Sequence, residues 1–147
     1  MKPEKRIDIQ QLEPAAYKAM YALENFLQNS QLLKTHLELI KIRASQINGC
    51  AFCINLHTTD ALKQGETPQR IFLLNTWKET SLFTEEERNI LAITEEVTLI
   101  SQNGLSDATY KQAEKLFDPN YIAQIIVAVA TINAWNRFAI STNKSVG

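Results

Sequence analysis

Two cysteines and a histidine share one short segment, and their types and spacing are those of a redox site. Cys50 and Cys53 are the only cysteines among 147 residues, and His57 follows four positions later. On a helix these three residues fall on one face, where cysteines three apart can approach disulfide-bonding distance. Helix-start N–H groups and the helix dipole stabilise a thiolate at Cys50, while neutral His57 can take a proton from Cys53. The segment therefore predicts thiol redox chemistry.

Glu38 is a candidate partner for His57. The pair Asn48-Gly49 is a helix stop, with Glu38 eleven positions before Gly49 and His57 eight positions after it. If the flanking helices fold back antiparallel, the two side chains differ in height by about one helical turn. A carboxylate there would hold the imidazole in one tautomer and take up its charge. This placement predicts a relay of Glu38, His57 and Cys53.

Helical periodicity dominates the chain, and no alternating strand pattern is present. Cap and stop signals divide it into about seven helices, over 14–27, 31–47, 50–64, 68–77, 85–101, 107–117 and 121–141. The caps are Asn29-Ser30, Thr67-Pro68, the capping box of Thr84 to Glu87, Ser106 and Asp118-Pro119. The connections are short and nothing repeats. We therefore expect an all-α fold, a single helical domain over 1–147.

Composition excludes several classes of function. Hydrophobic residues make up 45% of the chain, and the net charge is −1, so a globular protein without nucleic-acid binding is expected. The first ten residues lack the apolar stretch of a signal peptide, and the longest apolar run, 122–132, contains Gln124 and is too short to span a membrane. We expect a cytoplasmic protein with no membrane association, where a Cys-x-x-Cys pair binds metal or does redox chemistry.

The last predicted helix is apolar nearly all round between 122 and 132. Such a helix is buried on most sides, either at the centre of a bundle or at a subunit interface. A homo-oligomer is therefore one expectation, and a central helix of a monomer is the other. Aromatic residues elsewhere, among them Trp77, Trp135 and Phe138, are predicted to be packing residues.

The segment from Glu38 to His57 resembles the active-site signature of the alkylhydroperoxidase D and carboxymuconolactone decarboxylase superfamily. The likeness is dense over residues 30–62, from the run beginning Leu39-Ile40-Lys41 through His57-Thr58-Thr59. Looser similarity extends to the segment from Phe83 to Arg88 and to the segment from Asn133 to Arg137. One position departs from the best-known enzymes of this type: Phe52 stands where they have a histidine. This departure bears on the rate and on the choice of reductant.

The resemblance implies an all-helical oligomer, a trimer or hexamer, that reduces hydroperoxides with its cysteine pair. Cys53 would attack the peroxide and become a sulfenic acid, which Cys50 would resolve as a disulfide. A dithiol or dithiol-protein reductant would then reopen the disulfide at Cys50, the more exposed sulfur. Glu38 and His57 would carry the proton. No metal and no cofactor beyond this dithiol co-substrate is expected.

A zinc site is one alternative for the same residues, as part of a metal- or redox-sensing oligomer without turnover. Its ligands would be Cys50, Cys53, His57 and either His36 or Glu38. Structural zinc sites usually draw on a second cysteine pair, which this chain lacks. The absence of a βαβ pattern around the motif also disfavours thioredoxin-like chemistry.

Three further alternatives remain open. The cysteines can be two small buried hydrophobic residues. Glu38 can be a solvated ion-pairing residue, because it shares a polar helix face with Lys34, Lys41 and Ser45, and His36 is expected at the surface or at an interface. The superfamily's lactone decarboxylase chemistry is the third, although members with that activity generally lack the cysteine pair.

Overall fold

The computed structural model describes residues 3–147, and these contain only helices and no strand. The all-α prediction is therefore confirmed. Eight α-helices and one 3-10 helix follow one another as α1 Ile9–Leu12, α2 Pro14–Gln28, α3 Lys34–Asn48, α4 Ala51–Lys63, α5 Pro68–Phe72, the 3-10 helix Leu74–Glu79, α6 Glu85–Thr98, α7 Asp107–Leu116 and α8 Pro119–Ser141.

Most helices begin where the sequence places a cap. The side chains of Thr67, Ser106 and Asp118 each accept a hydrogen bond from a backbone N–H in the first turn of α5, α7 and α8. Thr84 and Glu87 form the reciprocal capping box of α6. Each bond satisfies an N–H group that the helix itself leaves without a partner. The caps thus fix the helix starts locally.

The predicted start of the second helix is wrong. The second predicted helix begins at Lys34 instead of residue 31, because Ser30 donates a hydrogen bond back to the carbonyl of Leu27 and ends α2. The backbone N–H of Leu33 donates to the hydroxyl of Tyr121, a partner on α8 that local sequence cannot indicate.

The helix predicted over 68–77 is also wrong, since it divides into α5 and the 3-10 helix. Thr76 inside the 3-10 helix has a φ of −117°, and its hydroxyl donates to the carbonyl of Leu73. A side chain that competes for backbone carbonyls in this way favours a break in the helix.

Helix α3 lies at the centre of the bundle and packs against α4, α6 and α8. Its residues Leu37, Ile40 and Ala44 join the main hydrophobic core with buried side chains of α6 and α8. Helix α8 is long and apolar enough to cross a membrane by length and composition, and it is the only such helix in the described part of the chain. Because α8 packs into this core, it serves as a central helix of the bundle.

Candidate active site

A tight turn between α3 and α4 presents the cysteine pair. Gly49 ends α3 in the left-handed conformation, with a φ of 71°, which a residue without a Cβ adopts readily. Cys50 follows directly as the N-cap of α4, and its Sγ accepts a hydrogen bond from the N–H of Cys53 at 3.3 Å. The cysteines are joined as a disulfide with their Cα atoms 5.3 Å apart.

A buried amide network holds this turn in place. The side-chain N–H₂ of Asn48 donates to the amide oxygens of Asn133 and Asn136 on α8, at 2.9 Å each. Asn136 in turn donates to the hydroxyl of Ser45 at 3.0 Å. Because Asn136 and Ser45 are fully buried, these bonds are shielded from water and fix α3 against α8. The cysteine pair therefore sits on a rigid support.

The prediction that Cys50 is the more exposed sulfur is wrong. Cys50 is 1% exposed and Cys53 is 3% exposed. Both pack against Ala139 near the end of α8, with Phe52 at the edge of the same cluster. The end of α8 covers the start of α4, a long-range contact that the position of Cys50 in its helix does not indicate.

His57 and Glu38 face one another across the antiparallel pair α3 and α4. The distance from His57 Nδ1 to Glu38 Oε2 is 3.7 Å, longer than a hydrogen bond. Both atoms are buried, and neither has a hydrogen-bond partner among the described residues. His57 also lies one helical turn beyond Cys53 on α4. The structure thus brings Glu38, His57 and Cys53 into one region of the bundle.

Burial shifts the pKa values of Glu38 and His57 in opposite directions and so determines which of the two holds a proton. It raises the pKa of Glu38 to about 7, with Lys41 opposing the rise and Asp60 and Glu24 adding to it. Burial, together with the Lys41 ammonium, lowers the pKa of His57 to about 3. A buried group favours its neutral form, so between about pH 3 and about pH 7 the proton lies on Glu38 and the imidazole is uncharged. An ionised Glu38 carboxylate 3.7 Å away favours the protonated form of the imidazole.

Glu38 is only 6% exposed, so the alternative of a solvated Glu38 is wrong. Lys41 is 4% exposed, and its ammonium is 3.0 Å from Glu24 Oε2 on α2. The other oxygen of Glu24 accepts a hydrogen bond from the indole N–H of Trp135 at 3.0 Å. These contacts give the Lys41 ammonium and the Glu24 carboxylate their partners, and they link α2, α3 and α8 around the site.

A cavity of about 390 Å³ extends from Cys53 and His57 to the surface. Aromatic and aliphatic side chains form much of its wall, and Lys41, Glu24 and Asp60 supply charge; the apolar members are Tyr17, Tyr21, Phe52, Leu56, Trp135 and Phe138. The sequence indicates these aromatic residues only as packing residues. Helical periodicity shows that such residues share a face, but not which faces leave a cavity between them.

A second cavity, of about 430 Å³, reaches Cys50 from the other side. Its wall combines the α3–α4 turn, the end of α8, Pro3 and residues 143–147. No local pattern in the sequence indicates it, because its walls come from segments far apart in the chain.

His36 is buried, so the expectation of a surface position is wrong. Its exposure is 8%, and its Nδ1 lies 2.7 Å from the hydroxyl of Tyr121. Since α3 runs from Lys34 to Asn48, His36 and Cys50 lie near its opposite ends, about 20 Å apart along the axis. A zinc site that joins His36 to the cysteines is therefore excluded.

Glu38, His57 and Asp60 form a cluster with the donor set of a metal site. Each offers one ligand atom, and these atoms lie within 4.8 Å of one another. Imidazole and carboxylate ligands suit zinc and other divalent transition metals. The Lys41 ammonium acts on two of the three and opposes a further cation there.

Residues 14–96 match the carboxymuconolactone decarboxylase family. The chain belongs to this family. A Bacillus subtilis (strain 168) family relative, the uncharacterized protein YdfG, is 38% identical over 136 residues, which cover 92% of each chain.

This member of the carboxymuconolactone decarboxylase family is also similar to proteins of solved structure. An Agrobacterium tumefaciens protein of unknown function, ATU0492, assigned provisionally to AhpD antioxidant defence, superposes with a TM-score of 0.95 at 38% identity and covers 98% of this chain and 99% of its own. An uncharacterized peroxidase-related protein from Silicibacter sp. TM1040 gives a TM-score of 0.76 at 25% identity, over 88% of this chain and 69% of its own. The resemblance to the alkylhydroperoxidase D and carboxymuconolactone decarboxylase superfamily is thereby confirmed.

Proposed function

We propose that this protein is a thiol peroxidase that reduces hydroperoxides with Cys53 and Cys50. The observation that carries the proposal is the bonded cysteine pair beside a buried carboxyl–imidazole pair, with Cys53 and His57 lining one cavity. The likeness to a provisional AhpD antioxidant protein and to a peroxidase-related protein supports the same class.

The oxidative half-reaction begins with the reduced pair. The Cys53 thiolate attacks one oxygen of the hydroperoxide, the O–O bond breaks, and the alkoxide leaves and takes a proton to become an alcohol. Cys53 becomes a sulfenic acid, and the Cys50 thiolate attacks its sulfur and expels hydroxide, which becomes water. One hydroperoxide and two thiols thus give one alcohol, one water and one disulfide.

Glu38 and His57 move the protons of these steps. When Glu38 is ionised, His57 accepts the Cys53 proton, and the carboxylate 3.7 Å away stabilises the positive charge that develops on the imidazole. The same proton then returns through His57 to the leaving alkoxide. The base form of the relay is favoured above the Glu38 pKa of about 7.

The proposed catalytic cycle needs a reductant and a cellular compartment that supplies it. A dithiol co-substrate, free or carried by a protein, reopens the disulfide at Cys50, and no metal or bound cofactor takes part in the cycle. A cytoplasmic location would supply such reductants.

Exposed apolar residues on α2, among them Leu23 and Phe26, support a homo-oligomer, a trimer or hexamer.

Dithiothreitol-driven consumption of cumene hydroperoxide tests the proposal. We expect turnover by the native protein and its loss in Cys53→Ser and Cys50→Ser. Equal activity in all three proteins would refute a thiol peroxidase. Lactone decarboxylation that survives loss of both cysteines would instead support a lactone decarboxylase. Stoichiometric zinc that makes the thiols unreactive would instead support a metal-sensing protein.

A further inference from the structure

A buried lysine ammonium lines the cavity in which Cys53 and His57 lie. Lys41 is 4% exposed, and it is the one buried ammonium among the residues that line this cavity, because Lys144 is exposed. A buried charge is costly unless it is paired, and here the Glu24 carboxylate pairs with it at 3.0 Å. The proton relay does not use this charge.

Helix geometry places Lys41 level with the relay. Lys41 lies eight residues before Gly49 and His57 lies eight residues after it, so the two stand at equal height across the antiparallel pair α3 and α4. Lys41 also lies one turn after Glu38 on the same face of α3. Its charge opposes the rise in the pKa of Glu38 and lowers the pKa of His57. The ammonium therefore lies beside the reacting groups.

The Lys41 ammonium has more hydrogen-bond donors than the protein uses. A lysine carries three N–H donors, and among the described residues its only hydrogen-bond acceptor is Oε2 of Glu24. Oε1 of Glu24 accepts a hydrogen bond from the indole N–H of Trp135 at 3.0 Å, which holds the carboxylate in place. Glu24 thus fixes the ammonium in the cavity wall, and the remaining N–H donors are available to a molecule in the cavity.

Cleavage of a hydroperoxide places negative charge on one oxygen. Cys53 Sγ bonds to the terminal oxygen, the O–O bond breaks, and its electron pair leaves on the oxygen that carries the organic group, here called the leaving oxygen. His57 delivers the proton that converts this alkoxide to an alcohol. As the charge develops, a fixed cation in a cavity that is partly shielded from water stabilises it far more than the same cation would in water.

We propose that Lys41 is a further catalytic residue, which donates a hydrogen bond to the leaving oxygen and stabilises the alkoxide. This inference rests on the proposed function. The ammonium keeps its own proton throughout, so the balance of atoms and protons in the half-reaction is unchanged. Glu24 is a positioning residue, because it acts on the substrate through Lys41. The ionised carboxylates in the cavity wall, on Glu24 and Asp60, have no proton to donate and cannot take this role.

Lys41 is best removed together with its partner. Lys41→Gln alone leaves the half-buried Glu24 carboxylate without its cation, which destabilises the fold. The double variant Lys41→Gln/Glu24→Gln removes both charges. Glu24→Gln, which retains the ammonium, is the reference, so that the two proteins differ only at residue 41. Lys111→Gln, at an exposed lysine on α7, is the matched control for the loss of a positive charge. Circular dichroism and thermal melts check that each variant folds.

Three reagents separate stabilisation of the leaving group from stabilisation of the thiolate. Each reduced protein is mixed rapidly with tert-butyl hydroperoxide, peroxyacetic acid or iodoacetamide, and loss of the Cys53 thiol is followed by mass spectrometry after acid quenching. The leaving groups are tert-butoxide, which is a strong base, acetate, which is a weak base, and iodide, which is not an oxyanion.

The expected rates follow from these leaving groups. Relative to Glu24→Gln, the double variant should react about a hundredfold more slowly with tert-butyl hydroperoxide and less than about tenfold more slowly with peroxyacetic acid. Its alkylation by iodoacetamide should be unchanged, because that reaction needs the thiolate but creates no oxyanion. Lys111→Gln should match the native protein with all three reagents.

The pattern across the three reagents decides the role of Lys41. Equal rates for the double variant and Glu24→Gln with tert-butyl hydroperoxide would overturn it, and so would equal slowing with both oxidants. Alkylation slowed as much as oxidation would overturn it in favour of thiolate stabilisation or packing. A native protein that iodoacetamide alkylates but neither oxidant oxidises would refute the peroxidase function itself, and this role of Lys41 with it.

Discussion

Replacing Glu38 with Gln should make the folded protein less sensitive to high pH. The buried carboxyl of Glu38 has a pKa of about 7 against an ordinary value of 4.5, so the folded protein holds this proton more tightly than the unfolded chain does. The resulting stabilisation is fully present below pH 4.5 and is lost as the pH rises through about 7. Gln has the same shape and no such titration.

The size of the effect follows from the two pKa values. At about 1.4 kcal/mol per pKa unit, the full titration of Glu38 lowers the free energy of unfolding by about 3 kcal/mol. Of this, about 2.5 kcal/mol falls between pH 5 and pH 8. His57 titrates in both proteins over the same range, with the opposite sign. The unfolded-state titration of His57 is common to both proteins and cancels in the difference, which therefore reports Glu38 together with its effect on the imidazole 3.7 Å away.

Urea unfolding of the oxidised proteins at pH 5 and pH 8, at one protein concentration, measures this difference. We expect the free energy of unfolding of Glu38→Gln, relative to the native protein, to rise by about 2.5 kcal/mol between the two pH values. Glu79→Gln, at an exposed glutamate, is the control and should show no such change. A pH-independent difference for Glu38→Gln would refute the assignment of the proton to Glu38.

Three other predictions concern a buried ion pair, a helix cap and the histidine of the relay. Lys41→Met leaves the half-buried Glu24 carboxylate without its cation and should lower the free energy of unfolding by about 3 kcal/mol in urea. Thr84→Ala removes the N-cap of α6 and should lower it by about 1 kcal/mol in the same assay. His57→Gln should lower kcat/KM for cumene hydroperoxide by about a hundredfold, because Cys53 loses its base; an unchanged value would remove His57 from the relay.

Much of the fold can be predicted from the sequence because its determinants are local. The caps at Thr84, Ser106 and Asp118 each involve residues within one turn, and all three mark helix starts correctly. The start of α3 could not be predicted in this way. Its N-cap residue, Leu33, has no capping side chain, and the N–H of Leu33 donates to the hydroxyl of Tyr121, 88 residues away, which is available only when α8 packs against it.

The candidate site also combines features that the sequence predicts with features that it does not. The placement of Glu38 opposite His57 follows from helix rise and a two-residue turn, both of which the sequence specifies. The burial of Lys41 does not, because a lysine in a helical pattern is normally solvated, and here a carboxylate from α2 pairs with it inside the bundle. The burial of Cys50 likewise depends on where α8 ends. Features that one helix determines can be predicted, and features that need a third helix cannot.

Chemical trapping of the sulfenic acid tests most directly that Cys53 is the residue that attacks the peroxide. Cys50→Ser and Cys53→Ser are each reduced, treated with one equivalent of cumene hydroperoxide in the presence of dimedone, and mapped by mass spectrometry. The predicted result is a dimedone adduct on Cys53 in Cys50→Ser and no adduct on Cys50 in Cys53→Ser. An adduct on Cys50 in Cys53→Ser, with Cys53 unmodified in Cys50→Ser, would contradict it.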